Sequence, residues 1–222
     1  VVRKTNGRLQ QPAARQRAQL RRDRQRDAIL RAAARLFRER GFADTGMRDI
    51  AAAAELSAAN LYHYFNSKHD LLFYCQDRAL DRMLAAAASA RRTSATTPER
   101  LGFVLTAHLQ TLLDDIEGAT AHLQIDSLPS PLRDRIVRKR DRYEQAVRRM
   151  IVEGIRRGEL VDMDPAVVVR AMLGAMNWTV TWFRPTGPDT AATVSAIIAR
   201  FLVRGVAVRT PAARRALSVV KP

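Results

Sequence analysis

Between Thr45 and Asp70 the chain reads TGMRDIAAAAELSAANLYHYFNSKHD, and the punctuation inside that stretch leaves it few ways to fold. Thr45 or Gly46 can cap a short helix through Met47, Ile50, Ala51 and Ala54, and a turn follows at Glu55-Leu56. Ser57 is placed to cap a second helix, Ala58 to about Phe65, because its hydroxyl can accept a free backbone N–H. Asn66 or Ser67 then opens a long helix that carries Leu71, Leu72, Tyr74, Cys75 and Leu80 towards Ala90. The middle helix ends in Leu61-Tyr62-His63-Tyr64-Phe65, a dense run of aromatics for a chain that contains 6% of them. A short helix with polar and aromatic groups, held between two others, can enter a DNA major groove.

Helical periodicity governs the rest of the chain, with no strand alternation and no internal repeat. A first helix is predicted from about Asp23 to Arg40, with Ile29, Leu30, Ala33, Leu36 and Phe37 on one face and Gly41 as its stop. After a polar break at Arg91 to Pro98, helices are predicted near 98–115, 119–127, 131–157, 165–183 and 189–208. Gly158 ends the third of these, Asp164-Pro165 starts the next, and Arg184-Pro-Thr-Gly-Pro188 stops it. The expected fold is all-α: an N-terminal three-helix helix-turn-helix domain plus a larger C-terminal helical domain, about nine helices. The expected division is a basic flexible arm (1–22), a DNA-binding domain (23–68), a ligand-binding and dimerisation domain (69–208) and a basic tail (209–222).

Composition narrows the function classes. The 222 residues allow one large domain or a small one plus a medium one, and 47% apolar residues suffice for a core. A single cysteine, Cys75, excludes an internal disulfide and suits a reducing, cytoplasmic setting. The Arg-rich start lacks the apolar run of a secretory signal, and the uncharged stretch Ala171 to Phe183 is shorter than the roughly 20 residues that span a bilayer. No membrane partner is therefore expected. The net charge of +16 is unevenly placed. Residues 1–26 hold nine basic residues and one acid, whereas residues 41–90 are net −2. Arginines 15 to 26, Arg24 among them, are thus expected to neutralise DNA phosphates beside a reading helix that is not itself basic. There is no GxGxxG, P-loop, HExxH or GxSxG arrangement, and four scattered histidines show no metal-ligand spacing. Neither catalysis nor a cofactor or metal is expected.

The run Gly41 to Leu72, with Gly41, Thr45, Ile50-Ala51, Ser57, Leu61-Tyr62, Tyr64-Phe65, Lys68 and Leu71 in register, resembles the DNA-binding domain of TetR-family transcriptional regulators. The resemblance implies a dimeric regulator whose middle helix reads an operator. The residue chemistry agrees with it. Ala58, Ala59 and Asn60 lie at the start of the reading helix; Asn60 can donate and accept, and the alanines can meet thymine methyls. Tyr62 and His63 point outward if Leu61 and Phe65 are core. The Tyr62 and Tyr64 hydroxyls suit phosphates, as do Ser57, Lys68 at the next helix start, and Thr45 and Arg48 on the supporting helix. Three positions depart from the family pattern. Glu55 stands where glycine is usual, which asks a non-glycine to turn left-handed. Gly46 replaces a frequent hydroxyl residue, and Ala58 a common basic one.

The last two helices look built for dimerisation and ligand contact. In 189–208, Val194, Ile197, Ile198, Phe201, Leu202 and Val206 form a broad apolar stripe. In 165–183, Val168, Met172, Met176 and Thr179 share one face and Ala171, Ala175, Trp178 and Trp182 another, so the helix should be buried on more than one side. Trp182, Val194, Ile197, Ile198 and Phe201 are the expected dimer contacts. The run Gly174 to Pro188, with Asn177-Trp178, Trp182-Phe183-Arg184-Pro185 and Gly187, resembles the sub-branch of TetR repressors that governs fatty-acid and steroid catabolism. That resemblance implies an acyl-CoA or lipid effector. Expected to line its site are Phe103, Leu105, His108, Leu112, His122, Ile125, Tyr143, Met150, Met172, Met176 and Trp178, the methionines because they adapt to irregular ligands. His108 and His122 could fix a polar group of the ligand, but each taken alone reads first as a satisfied core histidine.

The sequence thus supports a ligand-responsive repressor that binds a palindromic operator as a homodimer and is released by a small apolar effector. The competing class is a non-specific architectural nucleic-acid binder driven by the arginine-rich ends.

Overall fold

The computed structural model describes residues 11–113 and 125–208. Eight α-helices lie among them: α1 (Gln11–Arg40), α2 (Met47–Ala53), α3 (Ala58–Tyr62), α4 (Lys68–Ala90), α5 (Thr97–Leu113), α6 (Ser130–Arg156), α7 (Pro165–Trp182) and α8 (Ala191–Val206), with a 3₁₀ turn at Ile125–Ser127. No strand occurs among the described residues; one isolated antiparallel bridge joins Leu160 to Ala207. The chain divides into two compact units, Val1–Leu72 and Phe73–Pro222.

The helix boundaries are chemical. Ser57 Oγ accepts the Asn60 N–H, Ser67 Oγ the Asp70 N–H, Asp164 the N–H groups of Ala166 and Val167, and Thr190 Oγ1 that of Thr193. Each such cap satisfies a donor that the helix leaves orphaned and contributes about 1 kcal/mol. Gly41 and Gly158 end α1 and α6 with positive φ, 82° and 68°.

Two expectations change. The 11–22 part of the arm expected to be flexible is helical and continues α1. It contains no glycine, its one proline, Pro12, sits in the first turn where the missing N–H costs nothing, and Arg, Gln, Ala and Leu are good helix formers. Periodicity missed it because residues 15–24 are exposed on every side, leaving no apolar stripe to read. The reading helix is shorter than expected, ending at Tyr62, and Tyr64 and Phe65 close the turn through N–H bonds to Leu61 O. The helix predicted at 119–127 lies outside the described residues except for the 3₁₀ turn.

In the N-terminal unit, Ile29, Leu30, Ala33 and Phe37 of α1, Ile50 and Ala51 of α2, Leu61 of α3 and Leu71 are buried together as core. Each large aliphatic side chain taken out of water stabilises by about 1.5–3 kcal/mol. In the C-terminal unit α5 is the axis. It packs against α6, α7 and α8, and its Leu101, Val104, Leu105, Leu109 and Leu112 are fully buried. Lys139 of α6 grips α4 of the same unit, its Nζ lying 2.6 Å from Asp77 Oδ1 and 2.7 Å from Asp81 Oδ1.

Candidate nucleic-acid interface and effector core

The helix-turn-helix closes through a tight turn. Leu56 N–H returns to Ala51 O at 2.9 Å, and Glu55 takes φ 57°. The non-glycine at that position is therefore left-handed, as its place in the motif requires. With Leu61 and Phe65 buried, the opposite face of α3 and its C-terminal turn presents Ala59, Asn60, Tyr62 and His63 to solvent. Arg24 and Arg48 are also exposed, as is Ser57, whose hydroxyl caps α3 and keeps its own proton to donate. Ala58 and Tyr64 are half-buried. Arg48, Tyr62 and Asn66 border one open hollow of about 740 Å³ between the start of α2, the end of α3 and the start of α4.

Two residues assigned to phosphates are placed otherwise. Thr45 is 1% exposed, and its hydroxyl donates to Gly41 O at 2.8 Å. Lys68 turns its ammonium inward, donating to the carbonyls of Phe42 (2.8 Å), Ala43 (3.0 Å) and Thr45 (3.3 Å), with Nζ 4.6 Å from the centre of the Phe42 ring. The α1–α2 turn leaves those carbonyls without helical partners, and a cation satisfies them better than water does. Phe42 is held in turn by the rings of Phe37 (5.1 Å) and His69 (5.2 Å). Thr45 and Lys68 themselves line the hollow.

The centre of the C-terminal unit holds a polar chain in an apolar wall. His108 Nδ1 lies 3.1 Å from the Tyr143 hydroxyl and Nε2 3.2 Å from Asn177 Oδ1, which joins α5, α6 and α7. The amide oxygen can only accept, so Nε2 carries the proton and the Tyr143 hydroxyl donates to Nδ1. Burial pushes the His108 pKa down to about 4, opposed by the bond to Asn177, and burial raises that of the Tyr143 hydroxyl. Both groups are neutral at ordinary pH. Leu105, Leu112, Met150, Met172 and Met176 are buried in the same unit, and Ile125 is half-buried. His122 lies outside the described residues. Phe103 and Trp178, expected to line the site, instead face out, 53% and 67% exposed. Each shares a helix with buried ligand candidates but stands on the opposite side.

Trp178 stands with Trp182 on the outward side of α7, above the small residues Ala171, Gly174 and Ala175. Ile197 and Phe201 are exposed on α8, Phe201 to 74%. Val194, expected at a dimer contact, is buried within its own chain, and Ile198 is half-buried, because this side of the α8 stripe packs inward where α8 meets α5. Among the described residues no helix is long and apolar enough to cross a membrane, and no group of His, Cys, Asp or Glu could hold a metal ion.

Known proteins share this arrangement. Residues 29–75 match the family of bacterial regulatory proteins named tetR, and residues 94–206 match the tetracyclin repressor-like C-terminal domain. The chain belongs to the TetR family. Among its relatives, the HTH-type transcriptional repressor KstR2 of Mycobacterium tuberculosis is 30% identical over 179 residues, covering 76% of this chain and 86% of the relative. The solved structure of that ketosteroid transcriptional regulator superposes with a TM-score of 0.75 at 26% identity, over 83% of this chain and 95% of the other. PfmR of Thermus thermophilus gives a TM-score of 0.72 at 33% identity, over 79% and 97%. AibR, solved in complex with isovaleryl coenzyme A and operator DNA, gives 0.67 at 27% identity, over 81% and 96%.

As a TetR-family regulator the chain carries its DNA-reading motif in the N-terminal unit. Its resemblance to the fatty-acid and steroid branch, first legible at Asn177-Trp178, agrees with these relatives. The structure separates the two residues of that pair. Asn177 turns inward to His108, and Trp178 turns outward. Asn177 was not among the site residues expected from sequence, although a lone amide in the apolar run from Ala171 to Trp178 was the available signal.

Proposed function

We propose that the protein is a transcriptional repressor that binds a palindromic operator as a homodimer and releases it when a small apolar effector, an acyl-CoA or related lipid, occupies the C-terminal unit. The observation that carries this reading is the pairing of two surfaces in one chain. A solvent-facing Asn60-Tyr62-His63 face on a helix-turn-helix suits base edges and phosphates. A neutral Tyr143–His108–Asn177 chain, accompanied by buried methionines and leucines, suits a ligand with one polar group and an apolar body. The outward face of α7 and α8, with Trp178, Trp182, Ile197 and Phe201, is the proposed dimer contact. An effector that favours a conformation with lower operator affinity shifts the population away from DNA. That AibR was solved with both isovaleryl coenzyme A and operator DNA, and that KstR2 is named a ketosteroid regulator, supports the choice of effector class.

Fluorescence anisotropy with promoter DNA at physiological salt tests the reading. Specific binding at least about 10³-fold tighter than to random DNA is expected, weakened by acyl-CoA thioesters. Equal micromolar binding to every sequence would instead establish the architectural class, which the exposed arginines of α1 favour. Native mass spectrometry and melting shifts across an acyl-CoA chain-length series test the effector; no bound lipid and no shift would remove it.

A further inference from the structure

At one end of the C-terminal unit, where the α4–α5 turn approaches the last turns of α6, lies a polar cavity of about 450 Å³, lined by Arg91, Thr93, Ser94, Arg100, Glu153 and Arg157. Three guanidinium groups and one carboxylate line it. Arg100 and Arg157 both engage the same oxygen, Glu153 Oε1, through Nη2 atoms at 3.2 and 2.7 Å. Hydrogen bonding from Arg100 holds the Glu153 carboxyl below its ordinary pKa, so it stays charged. Arg91 makes no ion pair among the described residues, and the site keeps an excess of positive charge. The other nearby acids are engaged elsewhere: Glu159 accepts the Thr97 N–H at 2.6 Å, and Glu99 accepts the N–H and hydroxyl of Thr96.

Arg100 decides the matter. Its side chain is 6% exposed, Nη2 also donates to Thr97 Oγ1 at 3.2 Å, and Nε is buried with no acceptor. A buried cationic N–H left without a partner is costly, and one residue of opposite charge shared between two arginines does not offset it. Thr93 spends its proton on Ala90 O, whereas the exposed Ser94 hydroxyl is left to donate.

We propose that this cavity is a binding site for a phosphate-type tetrahedral oxyanion, held by Arg91, Arg100, Arg157 and Ser94. Guanidinium groups match such oxygens in charge and in planar geometry. The site is separate from the Tyr143–His108–Asn177 core and stands whether or not that core takes an acyl-CoA. The anion has two possible sources, free inorganic phosphate and a phosphoryl group on a nucleotide. Occupancy would tie the α4–α5 turn, the first turn of α5 and the end of α6 together, and would stabilise the fold by mass action.

The test is a ¹H–¹⁵N spectrum of the arginine Nε–H groups of the full chain, titrated with inorganic phosphate against chloride at constant ionic strength. Arg100→Lys identifies the Arg100 signal. That signal is expected to shift saturably in the millimolar range. Arg91→Ala should raise Kd about tenfold, equal to about 1.4 kcal/mol, with no change in melting in chloride. Arg92→Ala removes the same charge from a neighbour that does not line the cavity and should leave Kd unchanged. A second titration with adenosine 3′,5′-bisphosphate separates the sources: binding at least tenfold tighter than phosphate assigns the phosphoryl group to a nucleotide, and equal binding assigns it to free phosphate. An Arg100 signal that stays still or drifts without saturation overturns the site, as does an equal loss in the Arg91 and Arg92 variants.

Discussion

The Lys68 ammonium has three protons and aims all of them at carbonyls of one turn. A surface lysine at a helix start would be expected to serve a phosphate; here it completes the backbone that positions the DNA-facing residues. Lys68→Met should therefore lower the stability of the N-terminal unit by about 2 kcal/mol, since hydrogen bonds to a charged group are worth about 1.5–3 kcal/mol. Operator affinity should fall with it. Chemical denaturation followed by anisotropy checks this: a variant of wild-type stability whose salt slope alone is reduced would return Lys68 to a phosphate role. Glu55 offers the opposite change. A non-glycine at φ 57° carries roughly 1–2 kcal/mol of strain, so Glu55→Gly should stabilise by about 1 kcal/mol after the added unfolded-state entropy is subtracted. His108 sets a pH dependence. Its folded pKa of about 4 lies below the unfolded 6.5. As pH falls through that window the unfolded chain takes up a proton that the folded chain refuses, so stability is full above pH 6.5 and is lost towards pH 4. The loss is on the order of 3 kcal/mol, and the slope over this window should flatten in His108→Gln.

At the scale of elements, α1 joins two functions that sequence alone divided. Its second half packs Ile29, Leu30 and Phe37 into the core, and its first half carries Arg15, Arg17, Arg21, Arg22 and Arg24 exposed on the same rod. Arg17, Arg21 and Arg24 share one helical face at spacings of four and three. A helix presents charge with less entropy to lose than a coil does. Deleting residues 1–22 should make the dependence of log K on log salt shallower by about 0.9 for each phosphate that is no longer neutralised, while the preference for operator over random DNA survives. Loss of nearly all binding would identify the arginines as the whole of the interface. The DNA-reading element was legible because its signals are local. Ser57 and Ser67 cap within three residues, and the Glu55 turn closes over five. The helical arm was illegible because a helix exposed all round has no apolar period.

At the scale of the molecule, the outward face of α7 and α8 is the feature a lone chain does not explain. Large aromatics exposed together are uncommon unless a partner covers them. Phe201→Glu should convert a dimer to a folded monomer in sedimentation velocity and weaken operator binding by about 10²-fold or more, because the two half-sites are no longer held at once. The chain has two tryptophans, Trp178 and Trp182, and both are on this face. Their emission should move to longer wavelength as the dimer separates. A Phe201→Glu protein that stays dimeric with unchanged emission would place the interface elsewhere.

By itself the sequence determined what short-range chemistry controls: the all-α class, the caps, the glycine stops, the left-handed Glu55 and the helix-turn-helix with its outward Asn60, Tyr62 and His63. These follow from hydrogen bonds and periods within a few residues of one another. Only the tertiary structure decided which side of each apolar helix faces in. It turned Asn177 to His108 across 69 positions and left Trp178 beside it in solvent. It took Val194 into the core, and it carried Lys68 back 26 positions to the Phe42 carbonyl. An apolar stripe broader than one contact has several nearly equal ways to be buried, and a long charged side chain has several partners in reach. The packing of distant elements makes that choice.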